Sequence, residues 1–221
     1  MNRRPGLFQA RHLPVQARLW QAACLWQHLI AITPILSAMT HTALLVIDIQ
    51  RGAFDTVRCP AIDRAEQLVA NASGLVSAAR ESGTPVVFIQ HCEGANEVFE
   101  EGSPHWPVHE ALTPQPHDTV LKKYASSAFE GTDLAEKLQE LGARELVLCG
   151  LQSEFCVSNT ARSALSAGYA VVVAQDGHST WPSGDKPSLA ISEQVNLALE
   201  QAGARLSATA ELMHSLRAAR T

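Results

Sequence analysis

Cysteine is scarce in this 221-residue chain, and acidic residues are absent from its beginning. The five cysteines are an odd number without regular spacing, so they indicate neither a disulfide framework nor a zinc cluster, and they fit a reducing compartment. No acid occurs before Asp48, although four arginines do. Without those four arginines, 13 basic residues remain against 22 acidic ones, a net charge of −9. An acidic body disfavours nucleic acid as a partner.

Two kinds of binding site are also missing. No glycine-rich dinucleotide loop follows the first apolar run, because Asp48–Gly52 reads DIQRG, so the sequence predicts no organic cofactor. His105 and His109 are four residues apart, but they flank Pro107, which spoils a helical pair of metal ligands. We therefore predict no metal site.

Residues 1–40 do not share the pattern of the rest. Their apolar stretch from Leu19 to Ala38 is diluted by Gln21, Gln27 and His28, which disfavours a membrane span. The interpretation we favour is a mis-assigned start, with translation beginning near Met39, and a cytoplasmic protein. An export signal and an organelle-targeting leader are the alternatives. Residues 41–221 are predicted to form one domain.

In that domain, short apolar runs alternate with segments of helical spacing. Continuous apolar runs are typical of strands buried on both faces, and a repeated strand–helix order indicates a parallel sheet between helix layers. The sequence thus predicts an α/β fold, a three-layer α/β/α sandwich with six parallel strands. The predicted strands are 43–47, 85–90, 119–122, 146–149, 170–174 and 204–207; the predicted helices are 60–82, 132–141, 157–167 and 188–201.

One cysteine follows the fourth predicted strand. Cys156 lies at the end of a turn of small and polar residues, where a helix begins. The unpaired N–H groups of a helix start favour a thiolate, so we expect a nucleophile with a pKa well below the free-thiol value of about 8.5. A buried structural cysteine is the alternative.

Two further strands end in residues that suit a thiol nucleophile. The first strand ends at Asp48 and the third at Lys122-Lys123. Because the carboxyl ends of parallel strands meet at one edge of a sheet, these groups are expected near Cys156. An aspartate can take the thiol proton and return it to a leaving amine, while a lysine stabilises the thiolate.

These residues lie in segments that resemble the three signature blocks of the isochorismatase-like cysteine hydrolases. The segments are ALLVIDIQRGAFD, KYASSAFEGTDL and LVLCGLQSEFCVSNTARSALSAGY. The resemblance implies a catalytic triad of Asp48, Lys123 and Cys156 that hydrolyses amides through a thioester, with Lys123 chosen over Lys122 by its spacing to Ser127. It also implies a cis peptide at Leu151–Gln152 and an oxyanion hole formed by the backbone amides of Gln152 and Cys156.

The resemblance is nearest to the streptothricin-hydrolase-like branch, which acts on small or cyclic amides, and the segments SEFCV and QDGHSTW carry it. It implies a small-molecule substrate and a homo-oligomer, a dimer or tetramer. The metal cluster of nicotinamidases has no counterpart in spacing here. The predicted substrate pocket consists of Gln50, Phe54, His91, Trp106 and Glu154.

Four other functions remain open at this stage. One is an isochorismatase-type vinyl-ether hydrolase, and another is a binding module that keeps the fold without activity. Cys156 and Arg162 also match the C-x5-R spacing of cysteine phosphatases, but their phosphate loop normally uses glycine, and this segment has none. A redox pair of Cys149 and Cys156 is disfavoured, since one of them lies within a strand.

Overall fold

Six parallel strands form one sheet in the order β3-β2-β1-β4-β5-β6. The computed structural model describes residues 41–60 and 62–219, so the leader or mis-assigned start predicted for residues 1–40 lies outside the described residues. The strands are β1 (Thr42–Ile47), β2 (Val86–His91), β3 (Thr119–Lys123), β4 (Glu145–Gly150), β5 (Ala170–His178) and β6 (Arg205–Ser207).

Helices cover both faces of this sheet. They are α1 (Ala65–Ser82), α2 (Leu134–Glu140), α3 (Ser158–Ser166), α4 (Ser188–Gln201) and α5 (Thr209–Ala218). Alternate residues of β1 pack into two different cores, because successive side chains of a strand point to opposite faces. Helices α1 and α5 contribute to one core, and α2, α3 and α4 contribute to the other. The predicted α/β/α sandwich with six parallel strands is confirmed.

Three elements differ from the prediction. Helix α1 begins at Ala65 rather than at Pro60, because Arg64 has a left-handed backbone with φ of 53°. Strand β5 continues beyond residue 174 to His178. Helix α5 was not predicted; its buried residues Leu212 and Leu216 have helical spacing, but the segment is short and lies at the end of the chain.

The strand order changes direction between β1 and β4, the two central neighbours. From β1 the chain builds outward through β2 and β3, then returns to place β4 on the other side. Open parallel sheets bind ligands at such a switch point, outside the carboxyl ends of the strands. Within the described ranges no helix is long and apolar enough to cross a membrane.

Candidate active site

The ammonium group of Lys123 joins the ends of three distant segments. Its Nζ lies 2.8 Å from Asp48 Oδ2 and 3.1 Å from Cys156 Sγ. The Lys123 side chain is fully buried, and that of Asp48 is only 2% exposed. The structure therefore brings together the carboxylate, the amine and the thiol that the sequence placed at separate strand ends.

The neighbouring lysine is kept away from this site by strand geometry. Lys122 and Lys123 are consecutive residues of β3, so their side chains point to opposite faces. Lys122 Nζ lies 2.6 Å from Glu101 Oε1 and 4.7 Å from the centre of the Trp106 ring, at the surface. The contacts with Asp48 and Cys156 thus belong to Lys123, as the family spacing predicted.

Burial and charge act against each other on the Asp48–Lys123 pair. Burial raises the pKa of Asp48 above its ordinary value, although the Lys123 charge pulls it down. Burial also lowers the pKa of Lys123, but the charges of Asp48 and Cys156 outweigh this and raise it overall. Asp48 Oδ1 is buried and has no hydrogen-bond partner among the described residues, so it is available to receive a proton.

The Cys156 thiol differs from its prediction. Burial, together with the adjacent Asp48 charge, raises the pKa of Cys156 to about 11, and Lys123 only partly offsets this. The expected pKa below the free-thiol value was wrong, because a helix start has less effect than desolvation beside a carboxylate. At neutral pH Cys156 is a thiol, which ionises only when a nearby base takes its proton.

A π-helical turn, Ser153–Val157, carries Cys156 into α3. The preceding peptide bond, Leu151–Gln152, is cis, at the position that the family resemblance implies. Gly150 lets this segment approach β1, since a Cβ there would lie 2.0 Å from the carbonyl oxygen of Ile47. In the described part of the chain, the backbone N–H of Gln152 donates no hydrogen bond to an acceptor.

A buried network of hydrogen-bonded polar side chains anchors this turn, and the sequence analysis did not predict it. Ser153 Oγ lies 2.8 Å from His178 Nδ1 and 3.0 Å from Ser192 Oγ. His178 Nε2 lies 2.8 Å from Asn196 Oδ1. Since an amide oxygen only accepts, His178 donates from Nε2 and accepts at Nδ1 from Ser153. These four residues come from three segments that are distant in the sequence, so no local pattern indicates their contact.

His91, predicted as a pocket residue, contacts the triad directly. Its Nδ1 lies 3.1 Å from Lys123 Nζ. Burial, and secondarily the Lys123 charge, lowers the pKa of His91 to about 4. The ring is therefore neutral near pH 7 and accepts a hydrogen bond from the ammonium.

The other predicted pocket residues have varied positions. Gln50 is fully buried; its side-chain amide donates to the carbonyl oxygens of His91 and Trp106 and accepts a hydrogen bond from the His91 backbone N–H. Its place in the substrate pocket stays a prediction. Trp106 donates from Nε1 to the His91 carbonyl at 3.0 Å. Phe54 does line an apolar pocket, but one formed with α1 and His109, where no triad residue takes part.

Glu154 lines a cleft of about 540 Å³ beside the turn. The cleft also contains Gln152, Phe155 and Trp181, and its far wall is α4. Phe155 is 52% exposed although it precedes Cys156. The triad side chains do not line this cleft, although Phe155 precedes Cys156 in the chain.

The structure also bears on the alternatives to a hydrolase. Arg162 lies on an exposed position of α3 rather than in a phosphate loop, which disfavours a phosphatase. Cys149 is fully buried within β4, and burial raises its pKa to about 12, so it makes a poor redox partner. Across residues 41–60 and 62–219, no group of three or more His, Cys, Asp or Glu is arranged to hold a metal ion.

Comparison with known proteins adds to the geometry. A family model described as Isochorismatase domain matches residues 42–211. An uncharacterized isochorismatase family protein, YddQ of Bacillus subtilis, is 39% identical over 141 residues, which are 63% of this chain and 78% of the relative. A streptothricin hydrolase of Streptomyces noursei is 33% identical over 162 residues, covering 73% of this chain and 57% of that enzyme. The match thus spans less than two thirds of the streptothricin hydrolase.

Solved structures are similar as well. An isochorismatase of Pseudomonas putida KT2440 is 28% identical, with a TM-score of 0.73, and the match covers 83% of this chain and 96% of that one. The similarity extends over nearly the whole of the solved chain, so the sheet and its helices are shared.

Proposed function

Because the chain belongs to the isochorismatase family, we propose that it is a cysteine-dependent hydrolase that cleaves a C–N amide bond of a small molecule through a thioester. The observation that carries the proposal is the contact of Lys123 with both Asp48 and Cys156. An acid, an ammonium and a thiol that converge from three segments suit acyl transfer, whereas a binding module has no need of all three.

In the proposed reaction, Asp48 takes the Cys156 proton as the sulfur attacks the substrate carbonyl carbon. The raised pKa of Asp48 makes it a better base, and Lys123 stabilises the forming thiolate. The backbone amides of Gln152 and Cys156 are assigned to the oxyanion of the tetrahedral intermediate. That the Gln152 amide has no acceptor among the described residues supports its share of this role.

The intermediate then breaks down in two steps. The C–N bond cleaves, and Asp48 gives its proton to the departing amine, which leaves a thioester on Cys156. Water attacks the thioester carbonyl while Asp48 takes a water proton, and the carboxylic acid product is released. Asp48 finally returns the proton to the Cys156 sulfur, which restores the starting state.

Small or cyclic amides are the proposed substrates. The relative that hydrolyses streptothricin supports this class, and the cleft formed by Gln152, Glu154 and Phe155 has room for a small molecule next to the turn. A thiol nucleophile favours acyl chemistry over the alternative, hydrolysis of a vinyl ether. We further propose a homo-oligomeric, cytoplasmic enzyme, which size-exclusion chromatography with light scattering and cell fractionation test.

The first experiment is a screen of small amides, imides and lactams with the purified protein, followed by substitution of Cys156. We expect Cys156→Ala to lower kcat/KM by about 10³-fold or more, because the nucleophile is lost. Cys149→Ala is the matched control and should retain activity, since Cys149 is buried in β4 away from the triad. Undiminished turnover by a well-folded Cys156→Ala protein contradicts the proposal.

A further inference from the structure

The Lys123 ammonium is surrounded by more hydrogen-bond acceptors than it has N–H donors. Besides Asp48 and Cys156, its Nζ lies 3.1 Å from His91 Nδ1 and 3.2 Å from the carbonyl oxygen of Ala125. An ammonium group has three N–H donors. Four neighbours therefore compete for three N–H donors, and at any time one of the four has the weakest hydrogen bond or none.

Which neighbour loses depends on the protonation of Cys156. A thiol sulfur is a weak acceptor, whereas a thiolate is charged and accepts strongly. While Cys156 is protonated, the three donors are best used by Asp48, His91 and Ala125. When Cys156 becomes a thiolate, one N–H of Lys123 must donate to the sulfur. Either His91 or the Ala125 carbonyl then loses its hydrogen bond from Lys123.

His91 is held in the tautomer that can accept a hydrogen bond from Lys123. Its Nε2 lies 3.7 Å from Glu93 Oε1, so the carboxylate favours a proton on Nε2 and leaves Nδ1 as an acceptor. Its ring also meets Phe99 edge-on, with ring centres 6.0 Å apart. A neutral imidazole is consistent with the lowered pKa of His91.

We propose that His91 is a positioning residue, whose neutral ring accepts a hydrogen bond from the Lys123 ammonium in the resting enzyme and thereby restrains the ionisation of Cys156. The biological role of this restraint rests on the proposed function, but the restraint itself concerns the free protein and needs no substrate. It implies that the site keeps its nucleophile as a protected thiol until a substrate arrives.

The charged and titratable groups that face His91 and Lys123 define the conditions of the test. They are Asp48 at the end of β1, Cys156 in the π-helical turn and Glu93 after β2. Glu93 and Asp48 are present in all the variants below, so a difference between variants reports the side chain at residue 91.

The experiment measures the rate of Cys156 alkylation by iodoacetamide between pH 6 and 12, with the modified peptide identified by mass spectrometry. The wild-type protein is compared with His91→Leu and His91→Phe, which cannot accept a hydrogen bond, and with His91→Asn, whose side-chain oxygen can. Leu and Phe both retain an apolar contact for Phe99. Far-UV circular dichroism checks that each variant is folded.

We expect the two non-accepting variants to lower the apparent pKa of Cys156 by about one unit, because one additional hydrogen bond then stabilises the thiolate. Since nucleophilicity falls with pKa, alkylation at pH 7.5 should become about threefold faster rather than tenfold. His91→Asn should stay within about 0.3 units of the wild type, because it restores the acceptor.

Unchanged or higher pKa values in His91→Leu and His91→Phe overturn the proposal, and so does a shift in His91→Asn equal to theirs. The measurement needs no substrate. A protein inactive on every amide can still show the shift, and an active amidase can fail to show it, so this test is independent of the proposed function.

Discussion

Lys122 and Lys123 are neighbours on one strand, yet they belong to two clusters with different physics. The buried cluster consists of Lys123, Asp48, His91 and Cys156, and burial is the largest single influence on the pKa of every member, although for Lys123 it acts against the net rise. The surface cluster consists of Lys122, Glu101, Tyr124 and Trp106. The pKa shifts of its first three members come first from hydrogen bonds between their side chains.

The comparison shows that the same residue type acquires a different role through its surroundings. Solvent screens the surface cluster, so its ion pair has little effect beyond local order. In the buried cluster, water is excluded, and each charge depends on a specific partner. A site that moves protons needs the buried arrangement, because only there does the loss of one proton strongly change the pKa of a neighbouring group.

The largest expected effect comes from replacing each lysine by methionine, which retains the stem and removes the charge. Lys123→Met should lower kcat/KM by about 10³-fold or more, because the thiolate loses its cation. It should also lower the free energy of unfolding by about 3–5 kcal/mol, since Asp48 is left buried without its partner.

Lys122→Met is the matched control for that variant. We expect its activity to stay within about twofold of the wild type and its melting temperature to change little, because Lys122 is exposed. Kinetics on the amide found in the screen and denaturant unfolding measure both variants. If the two substitutions have equal effects, the distinction between the clusters is wrong.

An intermediate effect is expected in the pH dependence of stability. His91 has a pKa lowered to about 4 in the fold, against 6.5 for an ordinary histidine. The unfolded chain therefore takes up a proton first as the pH falls, so the stability that neutral His91 contributes is complete above pH 6.5 and is lost on the way to pH 4.

His91→Asn removes this titration while it keeps an acceptor for Lys123. We expect the melting temperature of the wild type to fall more steeply than that of His91→Asn between pH 6.5 and 4, as measured by differential scanning calorimetry. Parallel curves for the two proteins would mean that His91 titrates alike in the folded and unfolded states.

The smallest effect concerns the surface cluster. The hydrogen bond from Tyr124 to Glu101, 2.7 Å long, raises the pKa of Tyr124 to about 12. Glu101→Gln should bring that pKa back toward 10.0, its ordinary value, without a change in activity. Absorbance titration at alkaline pH, with Tyr124→Phe subtracted to remove the signal of Tyr169, measures the shift; an unaltered pKa in Glu101→Gln contradicts it.

Much of the fold was predictable because local pattern and burial agree. The apolar runs that predicted β1 and β4 are buried on both faces. Helix α5 escaped prediction, since its stability comes from packing on α1 and from Asp176, which accepts hydrogen bonds from Thr209. Those partners are distant in sequence and give no local signal.

Site residues divide in the same way. Asp48 is marked by its position at the end of an apolar run and Cys156 by its position where a turn passes into a helix, and their catalytic roles stay predictions. The hydrogen bonds between the Gln50 side chain and the His91 backbone were not predicted, because nothing local in the sequence indicates them. The pKa of Cys156 was expected in the wrong direction, because the sequence shows the helix start but not how far the sulfur is buried.

The sequence by itself determined the six strands, the helices α1 to α4 that alternate with them and the residue types at the strand ends, because hydrophobic periodicity and turn residues act over short distances. Only the tertiary structure decided that Lys123 meets four acceptors at once and that His91 is one of them. Such contacts join segments far apart in the chain, and the pKa values that follow depend on how completely packing removes water from around them.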